Sequence, residues 1–284
     1  CDVWYPSYRP EVISVSYLNG DGTPYGQQVV WPTQCSGPLV HRVSNSGQTV
    51  LTAGIDILAP GRLENAFGLG FNNYHSGTIQ GCSYASPVAA GLLADLRHAF
   101  RALGLIGTAP AHIGRALIAN FLVLGDASDG TASGQSVDRV HNMAGFGRIR
   151  TRVPSGADLP SPWGWAWSNY VLSTGGEVWI DFGSTGPESS LVTTWKTAVV
   201  WFDPNLNATS DVTLEMFDVC PPGGGPPTLV AADTSYNLRK RLRLSQSQIG
   251  GRCLQARVRA WNTPSGGTSI YVANYYAGGS TSDH

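Results

Sequence analysis

The residue best placed to do chemistry is Ser83, set in the stretch Gly-Cys-Ser-Tyr-Ala-Ser-Pro-Val-Ala-Ala-Gly at residues 81–91. Small and apolar residues follow it, and Leu92, Leu93, Leu96, Phe100, Leu103 and Leu105 continue with mostly helical spacing. That period predicts a loop that turns into a helix at Ser83. A hydroxyl there lies at the positive end of the helix dipole, where backbone N–H groups can face a developing oxyanion. Pro87 reads as part of the first turn, whose N–H groups have no partner inside the helix. Gly81 would let the chain approach a substrate closely, and Ala85 and Gly91 would let the helix pack tightly. A bare Ser-x-x-Ser would be read as a helix N-cap; the length of the surrounding pattern is what points to a nucleophile.

A serine nucleophile needs a base to take its proton and an acid to orient that base. Within the chain, Ser83, Asp138 and His141 stand in the order of an acyl hydrolase. The stretch around Ser83, however, lacks the second glycine of a nucleophile elbow, and an acid three residues from its histidine is atypical. His75 reads as a loop histidine, and His98, on the polar side of the long helix, as a solvated one.

Other stretches surround Ser83 with candidate positioning elements. Residues 11–17 are β-branched and apolar and read as a buried strand, and Tyr5-Pro6 stands just before them. Residues 50–61 end in Asp56-Ile-Leu-Ala-Pro-Gly. Residues 109–122 read as a second helix, residues 125–134 as a polar loop, and Gly-Phe-Gly-Arg-Ile closes at Ile149. The stretch at residues 81–91 resembles the nucleophile motif of subtilisin-like serine proteases, Gly-Thr-Ser-x-Ala-x-Pro-x-x-Ala-Gly. It matches at Gly81, Ser83, Ala85, Pro87, Ala90 and Gly91 and departs at Cys82, where the family usually has a threonine whose hydroxyl can help the oxyanion. The Tyr-Pro turn, the Asp-x-x-Ala-Pro-Gly turn and the Gly-x-Gly-x-Ile segment are similar to three further landmarks of that family, in order, over roughly residues 4–152.

The resemblance implies a serine endopeptidase with Ser83 as nucleophile, acting on peptide or protein substrates through an acyl-enzyme. Tyr5, Pro6, expected as a cis proline, and Gly81 would border the substrate. Asp56 would be structural, the family's acid lying far upstream of this position. No cofactor is required, and a structural calcium ion is compatible with the family. The family places its acid, its histidine and its oxyanion asparagine before the Tyr-Pro segment. They are therefore expected on an N-terminal half outside these 284 residues, docked or originally continuous, and the chain alone is expected to be inactive.

Beyond residues 154–162, rich in Pro, Ser and Gly, the pattern changes. Strand-like runs at 177–182, 197–202, 212–217, 238–244, 253–261 and 268–276 are punctuated by turn residues, as in an all-β sandwich. The Val-Trp-Phe-Asp-Pro run at 200–204 resembles the jelly-roll domain appended to some secreted subtilases. The tract at 221–227 reads as a hairpin end. The expected organisation is an incomplete α/β three-layer part over 1–153, a linker over 154–162 and a β-sandwich over 163–284. A protease remnant whose β domain binds surfaces or glycans through exposed Trp163, Trp165 and Trp167 is the non-catalytic alternative.

With 13% charged and 42% hydrophobic residues and 35 glycines, the chain reads as folded and loop-rich. A net charge of −1 gives no electrostatic case for nucleic acid or an anionic membrane as partner. Five cysteines suit an oxidising, extracellular setting. Cys220 and Cys253 are expected to staple neighbouring strands, Cys1 and Cys35 could pair, and Cys82 is expected to be free and buried. Asn207-Ala-Thr is a glycosylation sequon.

Overall fold

A computed structural model describes residues 12–18, 40–43, 49–52, 56–64, 78–102, 118–120, 122–123, 149, 163–181, 192–201, 210–234 and 239–278. Two four-stranded antiparallel sheets dominate it. One has the order β11 (Thr228–Asp233), β10 (Asp211–Asp218), β13 (Leu254–Asn262), β8 (Glu177–Asp181). The other has the order β12 (Arg239–Leu244), β9 (Val192–Trp201), β14 (Thr268–Gly278), β7 (Trp163–Leu172).

Alternation along each strand sets the facing. In β13, Leu254, Ala256, Val258 and Ala260 are buried, whereas Gln255, Arg257 and Arg259 are half-buried and Trp261 is exposed. Leu214, Met216 and Val258 of one sheet meet Trp195, Val199, Trp201, Leu242 and Val272 of the other in one apolar cluster. Successive side chains of a strand point to opposite faces, so each sheet gives one set of residues to this filling. Trp195 stacks on Tyr276 with ring centroids 5.2 Å apart, an arrangement worth about 0.5–1.5 kcal/mol beyond burial. The tract at 221–227 closes the β10–β11 hairpin, with Gly223 and Gly224 at φ of 93° and 71°, angles that L side chains rarely adopt. Cys220 is bonded to Cys253, joining neighbouring strands at the end of β10 and the start of β13. The carboxylate of Asp218 accepts the backbone N–H of both cysteines, at 3.1 and 3.2 Å.

The first part of the chain contributes β1 (Val15–Leu18) and β4 (Ile57–Pro60), paired in parallel, with the helix α1 (Cys82–Ala102) packed beside them. Of the second helix expected at 109–122, residues 118–120 and 122–123 are described and helical, with Ile118, Ala119, Leu122 and Val123 buried in the same cluster as α1 and β4, and the N–H of Ile149 bonds the carbonyl of Leu58 at 2.8 Å. Two short hairpins were not anticipated: β2 (Val40–Val43) with β3 (Thr49–Thr52), and β5 (Arg62–Glu64) with β6 (Thr78–Gln80). Residues 154–162 lie outside the described residues.

The second face of the β12-β9-β14-β7 sheet is also covered. Ala198, Val200, Tyr271, Ala273 and Tyr275 share one buried cluster with Ala85, Ala89, Leu96 and Phe100 of α1 and with Ile57 and Ala59 of β4. Trp167 is half-buried against this cluster, so it packs inward rather than standing exposed as the glycan-binding alternative required. The side chains of Trp163 and Trp165 lie outside the described set.

Two sequence expectations are corrected. Cys82 is disulfide-bonded, not free; Cys1 and Cys35 lie outside the described residues. Cys82 is the first residue of α1 and is only half-buried, so another segment can reach its sulfur. Pro87 lies inside α1 and not in its first turn. At that position its missing N–H leaves the carbonyl of Ser83 without its helical partner four residues on.

Candidate active site

Strand β4 positions the turn that precedes Ser83. It runs in register with β1, Val15 opposite Ile57 and Leu18 opposite Pro60, and Gly61 follows its last residue. The carbonyl of Gly61 accepts the N–H of Gly81 at 2.9 Å. Gly61 is buried, and a Cβ on it would lie 2.4 Å from the Cβ of Tyr17 and 2.8 Å from the Gly81 carbonyl oxygen. Only a glycine lets the two backbones come this close.

The Gly81 carbonyl in turn accepts N–H groups from Tyr84 at 3.1 Å and Ala85 at 3.3 Å. The Ala85 bond is the first i→i−4 bond of the helix, and the Tyr84 bond occupies one of the N–H groups that a helix start leaves open. Ser83 is the second residue of α1 and is exposed. The N-terminal end of α1 carries no acidic residue in its first turn to offset its positive dipole end. Ser83 can therefore present a hydroxyl, and a backbone N–H beside it, to an acyl group.

A base for this hydroxyl is not found on α1. His98 is exposed on the same helix, about four turns further on, which puts it roughly 20 Å along the axis. Tyr5, Pro6, His75, Asp138 and His141 lie outside the described residues. Of the expected site residues, the described part thus holds Ser83 and Gly81, with Tyr84 between Gly81 and the first full turn.

Asp56 is tied into the scaffold. One carboxylate oxygen accepts the backbone N–H of Ser14 at 2.6 Å, and the other is paired with the guanidinium of Arg239 from β12. Arg239 also donates to the carbonyl of Val12 at 3.0 Å. The sequence reading missed Arg239, since nothing in the local pattern of β12 marks a partner so far away in the chain. With both oxygens engaged and a fixed positive charge beside it, Asp56 does not fit a calcium ligand. Among the described residues, no group of three or more His, Cys, Asp or Glu side chains could hold a metal ion. Nor is any described helix long and apolar enough to cross a membrane.

A protein-family model described as "Subtilase family" matches residues 2–147. No curated protein matches. Among solved structures, a chain of "The Structure of Tomato Aspermy Virus by X-Ray Crystallography" is similar over 48% of this chain and 86% of its own, with 7% identity and a TM-score of 0.24. That likeness carries no argument.

Proposed function

The chain belongs to the subtilase family, and on that premise we propose that it is the serine-bearing part of a subtilisin-like endopeptidase with Ser83 as nucleophile. The observation that carries this reading is the exposed Ser83 in the first turn of α1, held by the Gly61–Gly81 bond. Ser83 Oγ attacks the carbonyl carbon of a peptide bond. Its proton passes to a histidine and then to the leaving amine, and water later hydrolyses the acyl-enzyme. The Ser83 N–H faces the oxyanion, and Gly81, with Tyr5 and Pro6, lines the path of the substrate chain.

The histidine, the aspartate and a side-chain oxyanion donor come from an N-terminal half that precedes the Tyr-Pro segment. One face of α1 supports such a partner. Pro87, Val88, Ala90, Gly91 and Ala94 are exposed, an apolar set on the helix that carries the nucleophile. Exposed apolar surface of this kind marks a place for another segment to pack. No cofactor takes part in this chemistry. The disulfides at Cys82 and between Cys220 and Cys253 support secretion into an oxidising compartment. The proposed organisation remains a catalytic part over 1–153, a linker over 154–162 and a sandwich over 163–284.

A labelled fluorophosphonate tests the reading. The chain with the N-terminal half added should label at Ser83 and cleave peptides, and Ser83→Ala should abolish both. The chain alone should turn over little or no peptide, because loss of the base removes most of the rate and loss of one oxyanion donor costs roughly another 10²–10³-fold. Ester turnover by the isolated chain, with labelling that needs Asp138 and His141, would point instead to the acyl hydrolase.

A further inference from the structure

We infer that Arg239, on the β-sandwich, is a positioning residue for the nucleophile turn, acting through Asp56 and β4. The inference rests on Ser83 being the nucleophile, and it adds a role for the second half of the chain in holding the first.

The argument follows a continuous set of bonds. Arg239 is 7% exposed and Asp56 6%, so their ion pair is shielded from water and holds where an exposed pair would be weakened by solvent. The second guanidinium nitrogen donates to Val12 just ahead of β1. Arg239 therefore grips both strands of the parallel pair at once, β4 through Asp56 and β1 through Val12. Asp56 closes the same end by a reciprocal bond, its N–H donating to Ser14 O at 2.8 Å while its carboxylate accepts from Ser14 N–H. From that end the pair runs in strict register to Pro60. Gly61 then holds Gly81, and Gly81 holds the N–H groups of Tyr84 and Ala85. Each link is a directional hydrogen bond or a paired strand, so a slip at Asp56 is passed to the turn that aims Ser83. Arginine suits the task because its planar fork makes two bonds in fixed geometry.

Hydrogen exchange of the intact chain tests this without requiring activity. The amides of Tyr84 and Ala85 are compared with those of the β9–β14 pair in wild type, Arg239→Ala, Arg239→Lys and Arg257→Ala. Arg257 is a half-buried arginine bonded to Glu215 on the far sheet, and its loss controls for general weakening of the sandwich. The expected result is that Arg239→Ala speeds exchange at Tyr84 and Ala85 about tenfold or more beyond any change in β9–β14. Arg239→Lys, which keeps the charge on Asp56 but not the fork, should recover part of that protection, and Arg257→Ala should show no selective effect.

If Arg239→Ala leaves Tyr84 and Ala85 unchanged, loosens every amide by the same factor, or is matched by Arg257→Ala, the inference is overturned. Should Arg239→Ala not be recovered folded, Asp56→Asn and Arg239→Lys are judged by the same selective criterion. A chain that loosens selectively yet never yields an active enzyme with any N-terminal half would sink the peptidase reading and leave the clamp standing. An active enzyme with no selective loosening would do the reverse.

Discussion

Gly81 donates its N–H to the carbonyl of Gly61 at 2.9 Å, and this bond ties the turn before Ser83 to the end of a parallel strand. A Cβ at position 61 would push against Tyr17 and against the Gly81 carbonyl, both within 2.8 Å. Neither neighbour is the free end of a flexible side chain. Gly61→Ala should therefore cost about 1–3 kcal/mol as an overpacked site and displace Gly81. The check is twofold: a lower midpoint in denaturant, and fluorophosphonate labelling of Ser83 in the assembled enzyme that falls further than the stability loss explains.

The corrected cysteine pattern makes a sharp prediction. With Cys220 bonded to Cys253 and Cys82 also disulfide-bonded, thiol titration of the unfolded, unreduced chain should find one free thiol among the five cysteines. Peptide mapping should place it at Cys1 or Cys35. A free thiol mapped to Cys82 would contradict the structure. The Cys220–Cys253 bond spans a sequence separation of 33, and its loss through Cys253→Ala should cost roughly 3–4 kcal/mol in the chain-entropy picture.

How much was legible beforehand depends on the range of the signal. Ser83 at the start of a helix was readable because the small-residue motif and the helical period lie next to each other. The six strand runs between 177 and 276 were readable because alternation is local, and all six fall on strands of the two sheets. Strand β7 carried the same signal in the alternation of Trp163, Trp165 and Trp167, but it was not among the strand runs read from the sequence. Strand β11 was missed because it follows the Pro- and Gly-rich tract directly. Pairings such as that of Arg239 with Asp56 leave no periodic trace. They depend on which sheet face meets which helix, and that is decided by the assembled core.

Within the sandwich, Thr197 holds a buried relay. It accepts from the indole N–H of Trp195 at 3.2 Å and donates to the side-chain oxygen of Asn274 at 2.7 Å, and Thr197 and Trp195 are fully buried, Asn274 nearly so. Thr197→Val keeps the volume but strands a donor and an acceptor in the core. Unsatisfied buried groups cost about 1–3 kcal/mol each, so thermal unfolding should shift down by several degrees. Thr197→Ser, which keeps the hydroxyl, should lose less.

Arg257 stands on the outer face of the other sheet. Its guanidinium carbon lies 4.7 Å from the ring centroid of Phe217 and 5.4 Å from that of Trp179, and it is bonded to Glu215 at 2.7 Å. That hydrogen bond raises the guanidinium above its ordinary value against the opposing cost of burial. A raised group stabilises the fold at every pH below its unfolded value and loses that effect only as pH rises through the folded one. Both lie far above neutrality, so this contribution of Arg257 should be flat across the neutral range. Arg257→Ala should cost about 1 kcal/mol, the size of a half-exposed ion pair and cation–π contact, and the loss measured in urea should be the same at pH 6.5 and pH 8.5.

On the proposed reading, Gly91 should separate the behaviour of the chain alone from that of the chain assembled with an N-terminal half. It lies on the exposed side of α1, and a Cβ added there meets nothing within 4 Å. In the isolated chain, Gly91→Ala removes backbone freedom from the unfolded state at a helical position, and should stabilise by about 0.4–1 kcal/mol. If the N-terminal half packs against the face formed by Pro87, Val88, Ala90 and Gly91, the same methyl meets the incoming backbone. The variant should then be more stable by itself and yet bind the N-terminal half more weakly, with peptidase activity that recovers as that half is added in excess. Calorimetry of the chain alone, set beside titration of activity with the added half, measures both signs. A variant stabilised alone and unimpaired in assembly would show that this face is not where the two halves meet.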